Sequence, residues 1–293
     1  MPIAVPSWFG FERAWLARAL RAVRKDPAIL QKARVEDAQY ETGLGNQQVY
    51  ALEHWLRAIG LVERLGDQHR ITRRGQIITE YDPSIEESGT WFAIHYHLAS
   101  SKDMAFAYWC ASNAVQYAFD RSTLISAMRR EMPGKSQATY ANHLRAFLAV
   151  IRGTPIGNEL RIFEVNENEV SSERYDRRLL PLPIAAYAMM DWTRQHGRST
   201  AGTAELTQSG GPARALLLDQ GMGDSVLDDI QDIYAKRVLW VSRTAGLNSV
   251  GFANDVPPLA LLRAYYIEHL EAKDPVSALE AAIQTERQEG EQP

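Results

Sequence analysis

The residues best suited to chemistry lie in one short acidic stretch, residues 219–232. Its aspartates, with no Lys or Arg between them, are Asp219, Asp224, Asp228, Asp229 and Asp232. On a helix, Asp224, Asp228 and Asp232 recur every four residues and share one face. Paired carboxylates hold Mg²⁺ or Mn²⁺, and such ions assist phosphodiester cleavage. We interpret these three as candidate catalytic and metal-binding residues; the alternative is an acidic helix start whose aspartates are simply solvated.

Other catalytic templates are missing from the sequence. There is no PD followed by D/E-x-K, no HNH-like histidine cluster, no phosphate-binding GxxxxGK and no G-x-S-x-G nucleophile elbow. His95 and His97 are two residues apart, so a helix would point them in different directions and they would not share a metal ion. Because so few catalytic motifs are present, the alternative that the protein is a non-catalytic DNA-binding adaptor stays open.

The clearest sequence signals for a DNA-binding element lie between residues 42 and 75. Glycines 43 and 45 predict a tight turn, Asn46 is a favourable N-cap, and apolar residues then recur at steps of three and four, which predicts a helix ending near Ala58. A short helix (35–42) precedes the turn, and strands at 61–65 and 69–72 follow around Gly66-Asp67. Together these elements predict a winged helix-turn-helix.

In that arrangement the start of the second helix faces the DNA. Asn46, Gln47, Gln48 and Tyr50 would enter the major groove or lie on the backbone, because amide side chains can read adenine or bind phosphates. The arginines expected to flank them on the wing side are Arg70, Arg73 and Arg74. The first helix, 11–25, carries further arginines, which would lie along phosphates or only solvate an exposed face.

The middle of the chain repeats the pattern. Helices are predicted at 122–132 and 137–152 around a Pro-Gly-Lys-Ser turn, with a strand at 159–165. The exposed start of the second helix would present Ser136, Gln137, Thr139, Tyr140 and His143, with Lys135 in the turn. We name Lys135, Gln137 and Tyr140 as candidate DNA-binding residues; the alternative is two ordinary antiparallel helices with a solvated basic face.

The predicted fold is mainly α with small β-wings. It has an N-terminal winged helix-turn-helix domain (1–82), a helical middle unit with the second helix pair (83–165) and a C-terminal α+β domain (179–273). Residues 164–178 are polar and without clear period, which predicts a linker. The residues after Asp274 are predicted to be frayed or disordered.

Composition narrows the class of protein. The 293 residues are 45% apolar, enough for a core, and the single cysteine, Cys110, excludes a disulfide framework and a cysteine-rich zinc site. No apolar run is long enough to span a membrane and the first residues do not form an export signal, so we expect a cytoplasmic protein. The net charge of −4 conceals a segregation: residues 115–152 carry six Lys or Arg against two Asp or Glu.

Several of these runs resemble a known family. Gly43-Leu44-Gly45-Asn46, the run from Trp55 to Glu63 and the run from Trp91 to Ser100 are similar to an uncharacterised-domain family of bacterial DNA-defence operons, the family that includes SspB of the single-strand DNA phosphorothioation system. The resemblance extends in order over most of the chain, from residue 8 to residue 252. Family members usually carry Lys where Gln47 stands, which weakens a phosphate contact at that position.

The resemblance implies a DNA-nicking role, in which one strand is cut so that sulfur can replace a non-bridging phosphate oxygen. The partners it implies are double-stranded DNA, a cysteine desulfurase, an ATPase and a sulfur-transfer protein of the same operon. It assigns no catalytic residue in this chain. A transcriptional regulator is a further alternative, because a winged helix alone does not distinguish it.

Overall fold

The computed structural model describes residues 9–167, 169–244 and 247–290. The fold is mostly helical with small antiparallel sheets, as predicted, and the described residues contain three of these sheets. The chain divides into two compact units, Met1–Asp176 and Arg177–Pro293. The finer division into three domains stays a prediction. Within the described residues, no helix combines the length and the hydrophobicity needed to cross a membrane.

The first unit contains nine helices among its described residues, together with five short strands. Its helices are α1 (Arg13–Lys25), α2 (Val35–Thr42), α3 (Asn46–Ala58), α4 (Arg73–Tyr81), α5 (Ser88–Ser100), α6 (Phe106–Asn113), α7 (Arg121–Glu131), α8 (Gln137–Gly153) and α9 (Pro155–Asn158). Its strands are β1 (Val62–Leu65), β2 (Gln68–Ile71), β3 (Ala118–Asp120), β4 (Glu164–Val165) and β5 (Glu169–Ser171). The bounds of α2 and α3 agree with those that the apolar spacing predicted.

Helix α5 forms the centre of the first unit. Its sequence is apolar or aromatic nearly all round, and the residues from Gly89 to Ala99 are all buried. A helix without a polar face must be covered on every side. Helices α1, α3 and α8 instead have one buried face each, through residues such as Leu20, Leu52 and Phe147. Their opposite faces therefore stay available for binding.

Strands β1 and β2 form a hairpin directly after α3. Gly60 ends α3 with a φ of +66°, and Gly66 makes the hairpin turn at +61°; both values lie in the left-handed region that favours glycine. The pairing runs from Val62 opposite Ile71 to Leu65 opposite Gln68. On the other side of β2, the His69 amide donates a hydrogen bond to Pro27 O at 2.8 Å. The hairpin is thus fixed to the segment after α1.

A second sheet, in the order β3-β5-β4, corrects two predictions. The apolar and aromatic residues from Met104 onwards predict a helix as far as Phe119, but Phe119 lies in β3 opposite Val170. The predicted linker, 164–178, contains β4 and β5, which form an antiparallel pair after α8 and α9. Strands of two or three residues are too short for an alternating pattern to mark them.

The second unit packs six helices, among its described residues, beside one three-stranded sheet. Its helices are α10 (Leu182–Gln195), α11 (Thr203–Thr207), α12 (Pro212–Ala215), α13 (Gln220–Ile233), α14 (Pro258–Glu271) and α15 (Pro275–Gly290). Its strands are β6 (Thr200–Gly202), β7 (Leu239–Thr244) and β8 (Leu247–Phe252), in the order β6-β8-β7. The sequence predicts paired strands at 238–243 and 249–252 around a turn at 245–248, and these correspond to β7 and β8. It does not predict β6, and residues 245–246 of the predicted turn lie outside the described residues.

Helix α15 overturns the prediction of a disordered tail. Four residues at helical spacing, Ala278, Leu279, Ala282 and Ile283, are fully buried. The side chain of Arg263 on α14 is itself fully buried and donates to Glu286 at 2.9 Å and to Glu289 at 3.0 Å. The polar composition of the tail concealed this apolar stripe, because the charged residues occupy the other face of the same helix.

Candidate nucleic-acid interface

The first helix pair is α2 and α3, joined by Gly43 at a φ of +70°. The N-cap of α3 is Gly45, one residue before the predicted N-cap, and Asn46 is the first helical residue. The Gly45 amide donates to Gln48 Oε1 at 2.8 Å, so the Gln48 side chain closes the helix start. That contact occupies a side chain predicted to bind DNA.

The other predicted residues of α3 are accessible. Asn46 and Gln47 are exposed, and Tyr50 is half-buried. Tyr50 lines a groove between α3 and the β1-β2 hairpin, together with Glu53 and Asp67. The same groove is lined by the basic side chains of Lys32 and Arg64, so its two carboxylates are balanced and it has no excess positive charge to attract phosphate.

The arginines around α3 have acidic partners. Arg57 lies 3.2 Å from Glu53 on the same helix. On the hairpin, the ion pairs are Arg64 with Asp67 at 3.7 Å and Arg70 with Glu63 at 2.6 Å. These three arginines of α3 and the hairpin are thus each compensated by a neighbouring carboxylate, whereas Arg18 of α1, beside the Gly43 turn, donates to the Ala14 carbonyl.

Arg73 and Arg74 do not lie on the wing, and this part of the prediction is wrong. Both belong to the first turn of α4, which Thr72 caps by accepting a hydrogen bond from the Gly75 amide. Arg74 Nη1 donates to the Ile59 and Gly60 carbonyls at 3.2 and 3.4 Å. These carbonyls are at the end of α3, so Arg74 stabilises that helix end.

The second helix pair is α7 and α8. Asp120 caps α7 and Ser136 caps α8, each by accepting a hydrogen bond from an amide three residues on. Lys135 and Gln137 are exposed, as predicted. Tyr140 and His143 are not: both are buried, and the Tyr140 hydroxyl donates to Met132 O at 2.6 Å. Their place on the inner face of α8 makes them core residues and removes them from the exposed helix start.

Helix α8 contains no Asp or Glu in its 17 residues. Its outward strip is formed by small, amide and basic side chains that are exposed or half-buried: Gln137, Ala138, Ala141, Asn142, Arg145 and Arg152. Within the part of the chain that the structure describes, no carboxylate lies within ion-pair distance of Lys135, Arg145 or Arg152. Sequence analysis missed Asn142, Arg145 and Arg152, although their spacing from Gln137 was a usable signal.

The surroundings of α8 differ between its two sides. On α7, Arg129 contacts the Gln137 side chain and lies over the Tyr140 ring, 5.9 Å from its centroid, while Arg130 is exposed. On the β4-β5 side, Arg161 and Arg174 share the carboxylate of Glu164 at 3.6 and 3.7 Å. That side also carries exposed carboxylates, those of Glu159, Glu167, Glu169 and Glu173. The positive charge is therefore concentrated on α7, the turn and α8.

Each of the two exposed helices also carries one histidine on its inner side, half-buried on α3 and buried on α8. His54 of α3 is hydrogen-bonded to Met104 O at 2.8 Å, and His143 of α8 lies edge-on to Phe106 with 5.6 Å between ring centroids. Burial lowers the pKa of His54, and burial together with the nearby His54 lowers the pKa of His143 to about 4. Both rings are neutral at pH 7 and add no positive charge to the surface.

The acidic stretch lies on α13 in the second unit. Asp219 is the N-cap of α13, and Asp224 accepts hydrogen bonds from Gln220 on the same helix. Both oxygens of Asp228 accept from Arg243 Nη2 of β7 at 2.8 Å, and Asp232 is exposed. In residues 9–167, 169–244 and 247–290, no three His, Cys, Asp or Glu side chains form a group that could hold a metal ion. The donor set predicted for Mg²⁺ or Mn²⁺ is therefore not assembled.

Comparisons with known proteins agree with the predicted resemblance. Residues 8–146 match the model of a family described as a protein of unknown function, DUF4007. No curated protein matches the chain by sequence. A crystal structure of SspB shares the fold with a TM-score of 0.75 at 22% identity, and a magnesium-ion-bound SspB structure does so at 0.75 and 20%; each match covers 95% of both chains. The predicted likeness to an SspB-like family of uncharacterised domains is confirmed, and at these identities the structural match establishes the fold.

Proposed function

We propose that this protein is a DNA-binding component of a phosphorothioation-type DNA modification and defence system of the bacterial cytoplasm. The observation that carries the proposal is the SspB fold over 95% of the chain, combined with two helix pairs that each expose the start of their second helix. The partners we propose are double-stranded DNA and the sulfur-transfer and ATPase proteins of the same operon.

Within the first unit, we interpret α1 to β2 as a winged helix-turn-helix. The order of elements, the glycine turn before α3 and the hairpin fixed to residue 27 all support this interpretation. The exposed Asn46 and Gln47, the half-buried Tyr50 and the wing residue Arg70 are its proposed DNA contacts. At the second helix pair, Lys135 and Gln137 have the corresponding role.

We further propose that the protein nicks one strand of DNA, with Mg²⁺ or Mn²⁺ as the metal. One solved SspB structure is magnesium-ion-bound, which supports Mg²⁺ binding by a protein of this fold. The carboxylates of α13 do not fit a preformed metal site, because Asp228 is paired with Arg243 and no group of three possible ligands occurs in the part of the chain that the structure describes. We therefore assign no catalytic step to Asp224, Asp228 or Asp232.

A plasmid assay tests the nicking proposal. Supercoiled plasmid incubated with the full chain and Mg²⁺ or Mn²⁺ should yield open circles, and EDTA should abolish them. Asp228→Ala then tests the acidic stretch: loss of nicking in a folded variant would restore its catalytic role, whereas unchanged nicking would place the chemistry elsewhere. Absence of open circles, with the operon partners present, would contradict the nicking proposal.

The second candidate is a non-catalytic adaptor that positions the sulfur-transfer partners on DNA. The Asp228–Arg243 ion pair favours this candidate, since it occupies the most promising carboxylate of the acidic stretch. An adaptor would bind duplex DNA and its partners without cutting. A transcriptional regulator would instead protect one operator sequence in footprinting, and protection of many unrelated sequences would exclude that role.

A further inference from the structure

We infer that α8 is the principal DNA-reading helix of the protein, with Lys135, Arg145 and Arg152 as its phosphate contacts. The inference rests on the proposed DNA-binding function and makes it more specific. It assigns the main contact to the second helix pair, whose β-wing is made of very short strands, and gives the first pair a secondary role.

The first argument is charge. Duplex DNA presents a dense row of phosphates, and each Lys or Arg that neutralises one phosphate contributes to affinity. A guanidinium beside a carboxylate gains less from a phosphate, because the carboxylate repels the phosphate and the exposed ion pair, worth at most about 1 kcal/mol, has to be given up. The arginines of α3 and of the β1-β2 hairpin are paired in this way, whereas Lys135, Arg145 and Arg152 have no such partner among the described residues.

The second argument is the shape and chemistry of the exposed strip. A helix enters the major groove only where its outward side chains permit a close approach. Ala138 and Ala141 are small, and they lie between the amides of Gln137 and Asn142, the side-chain type that pairs with adenine. On α3 the corresponding strip contains Glu53, which is bonded to His69 at 3.1 Å and to Arg57.

The third argument is the position of the negative charges. The β4-β5 wing carries exposed carboxylates at residues 167, 169 and 173, so phosphates are repelled from that side. The opposite side holds Arg129, Arg130 and the turn with Lys135. We therefore expect the duplex to lie over α7, the turn and α8, with Arg145 on a phosphate farther along the helix. Arg152 would contact the last phosphate, at the border with the β4-β5 side, where it lines a pocket with Glu164.

A matched pair of variants tests this inference. The first is Lys135→Ala with Arg145→Ala and Arg152→Ala; the second is Arg57→Ala with Arg64→Ala and Arg70→Ala. Each removes three basic side chains from one helix pair of the full chain. Duplex affinity is measured by fluorescence anisotropy between 50 and 200 mM salt, a range over which phosphate contacts are strongly salt-dependent.

We expect the second-pair variant to lose roughly 100-fold in affinity and about two to three units of the slope of log K against log salt, at about 0.9 per phosphate contact. The first-pair variant should lose less than roughly five-fold and less than about one unit. Equal losses, or the reverse order, would overturn the inference while leaving DNA binding established. Absence of duplex binding by the unmodified protein would overturn the proposed function itself.

A variant that keeps every charge provides an independent test. Ala138→Trp places a large side chain on the exposed strip of α8, where it would block approach to the groove, and Gln47→Trp does the same on α3. Ala138→Trp should weaken binding to a duplex far more than binding to a single-stranded oligonucleotide of the same length. If Ala138→Trp weakened binding to the duplex and to the single strand equally, insertion of α8 into the groove would be contradicted. Unchanged duplex binding by a variant of unchanged thermal stability would contradict it as well.

Discussion

Helices α3 and α8 both follow a capped turn, bury one apolar face in the first unit and precede a small antiparallel pair of strands. They differ in what surrounds their exposed faces. Near α3, Glu53, Glu63 and Asp67 compensate the arginines, whereas α8 has no acidic residue of its own. Two similar arrangements of helices therefore have very different capacities to bind a polyanion. Similarity of fold alone would not have revealed this difference.

The largest effect of a single substitution on DNA binding should follow from giving α8 the acidic residue that α3 already has. Arg145→Glu reverses one exposed charge without disturbing the core, and we expect duplex affinity to fall by roughly 30-fold or more, about 2 kcal/mol. Arg64→Glu is the control on the first pair, where a fall of less than about five-fold is expected. A comparable loss in both variants would remove the distinction between the pairs.

Acidic pH should lower the free energy of unfolding, because α8 buries a neutral histidine and α3 holds a half-buried one whose pKa is also lowered. The pKa of His143 is lowered from the usual 6.5 to about 4 in the folded protein, so the folded state binds fewer protons than the unfolded state between these values. Its stabilising contribution is fully present above pH 6.5 and is lost as the pH falls toward 4, a change of up to roughly 3 kcal/mol.

Denaturant titrations between pH 4 and pH 8 measure this effect. The free energy of unfolding should decline below pH 6.5, and His143→Leu should make the decline shallower. Leucine is suitable because neither ring nitrogen of His143 has a hydrogen-bond partner within the described residues. An equally steep decline in the variant would show that His143 does not contribute.

The turn between α2 and α3 and the turn between α7 and α8 should lose similar stability when their glycine is replaced by alanine. Gly43 and Gly134 have φ values of +70° and +83°, where an alanine is strained by about 1 kcal/mol. A Cβ at Gly134 would meet open space, whereas one at Gly43 would lie 3.0 Å from Arg18 Nη1. Gly134→Ala and Gly43→Ala should each lower thermal stability by a few degrees. A loss of stability at only one turn would show that the pairs differ in backbone as well as in charge.

The smallest effects are expected from two single substitutions that compare the buried face of α8 with its exposed face. Tyr140→Phe removes the hydrogen bond to Met132 O and should lower the free energy of unfolding by about 1 kcal/mol, with duplex affinity unchanged. Gln137→Ala should show the opposite pattern, weaker binding at unchanged stability. Chemical unfolding and fluorescence anisotropy are measured on both variants. Weaker binding by Tyr140→Phe, or lower stability of Gln137→Ala, would show that the corresponding residue has been assigned to the wrong face.

The sequence was a good guide to helices but not to their charge environment. Apolar spacing predicts α3 close to its observed bounds, because burial of one face requires that spacing, and the sequence also predicts helices at 35–42 and 182–195, the observed bounds of α2 and α10. It did not locate β3, β5 and β6, which are three residues long, and the polar tail concealed α15. The interface residues were harder still: Tyr140 and Gln137 are three residues apart, and only the packed structure shows which of them is exposed. Ion pairs such as Asp228–Arg243 join distant residues and leave no local pattern.

The most direct test of the account is to map which helix touches DNA. Cys110 is buried, and its pKa is raised to about 12 by that burial, so the native thiol is unreactive at pH 8. A cysteine placed at Gln137 on α8 or at Gln47 on α3 can then be coupled to a photoreactive group and irradiated with duplex DNA. We predict efficient crosslinks from Gln137→Cys and weak ones from Gln47→Cys. Crosslinks from Gln47→Cys alone would contradict the assignment of α8 as the DNA-reading helix.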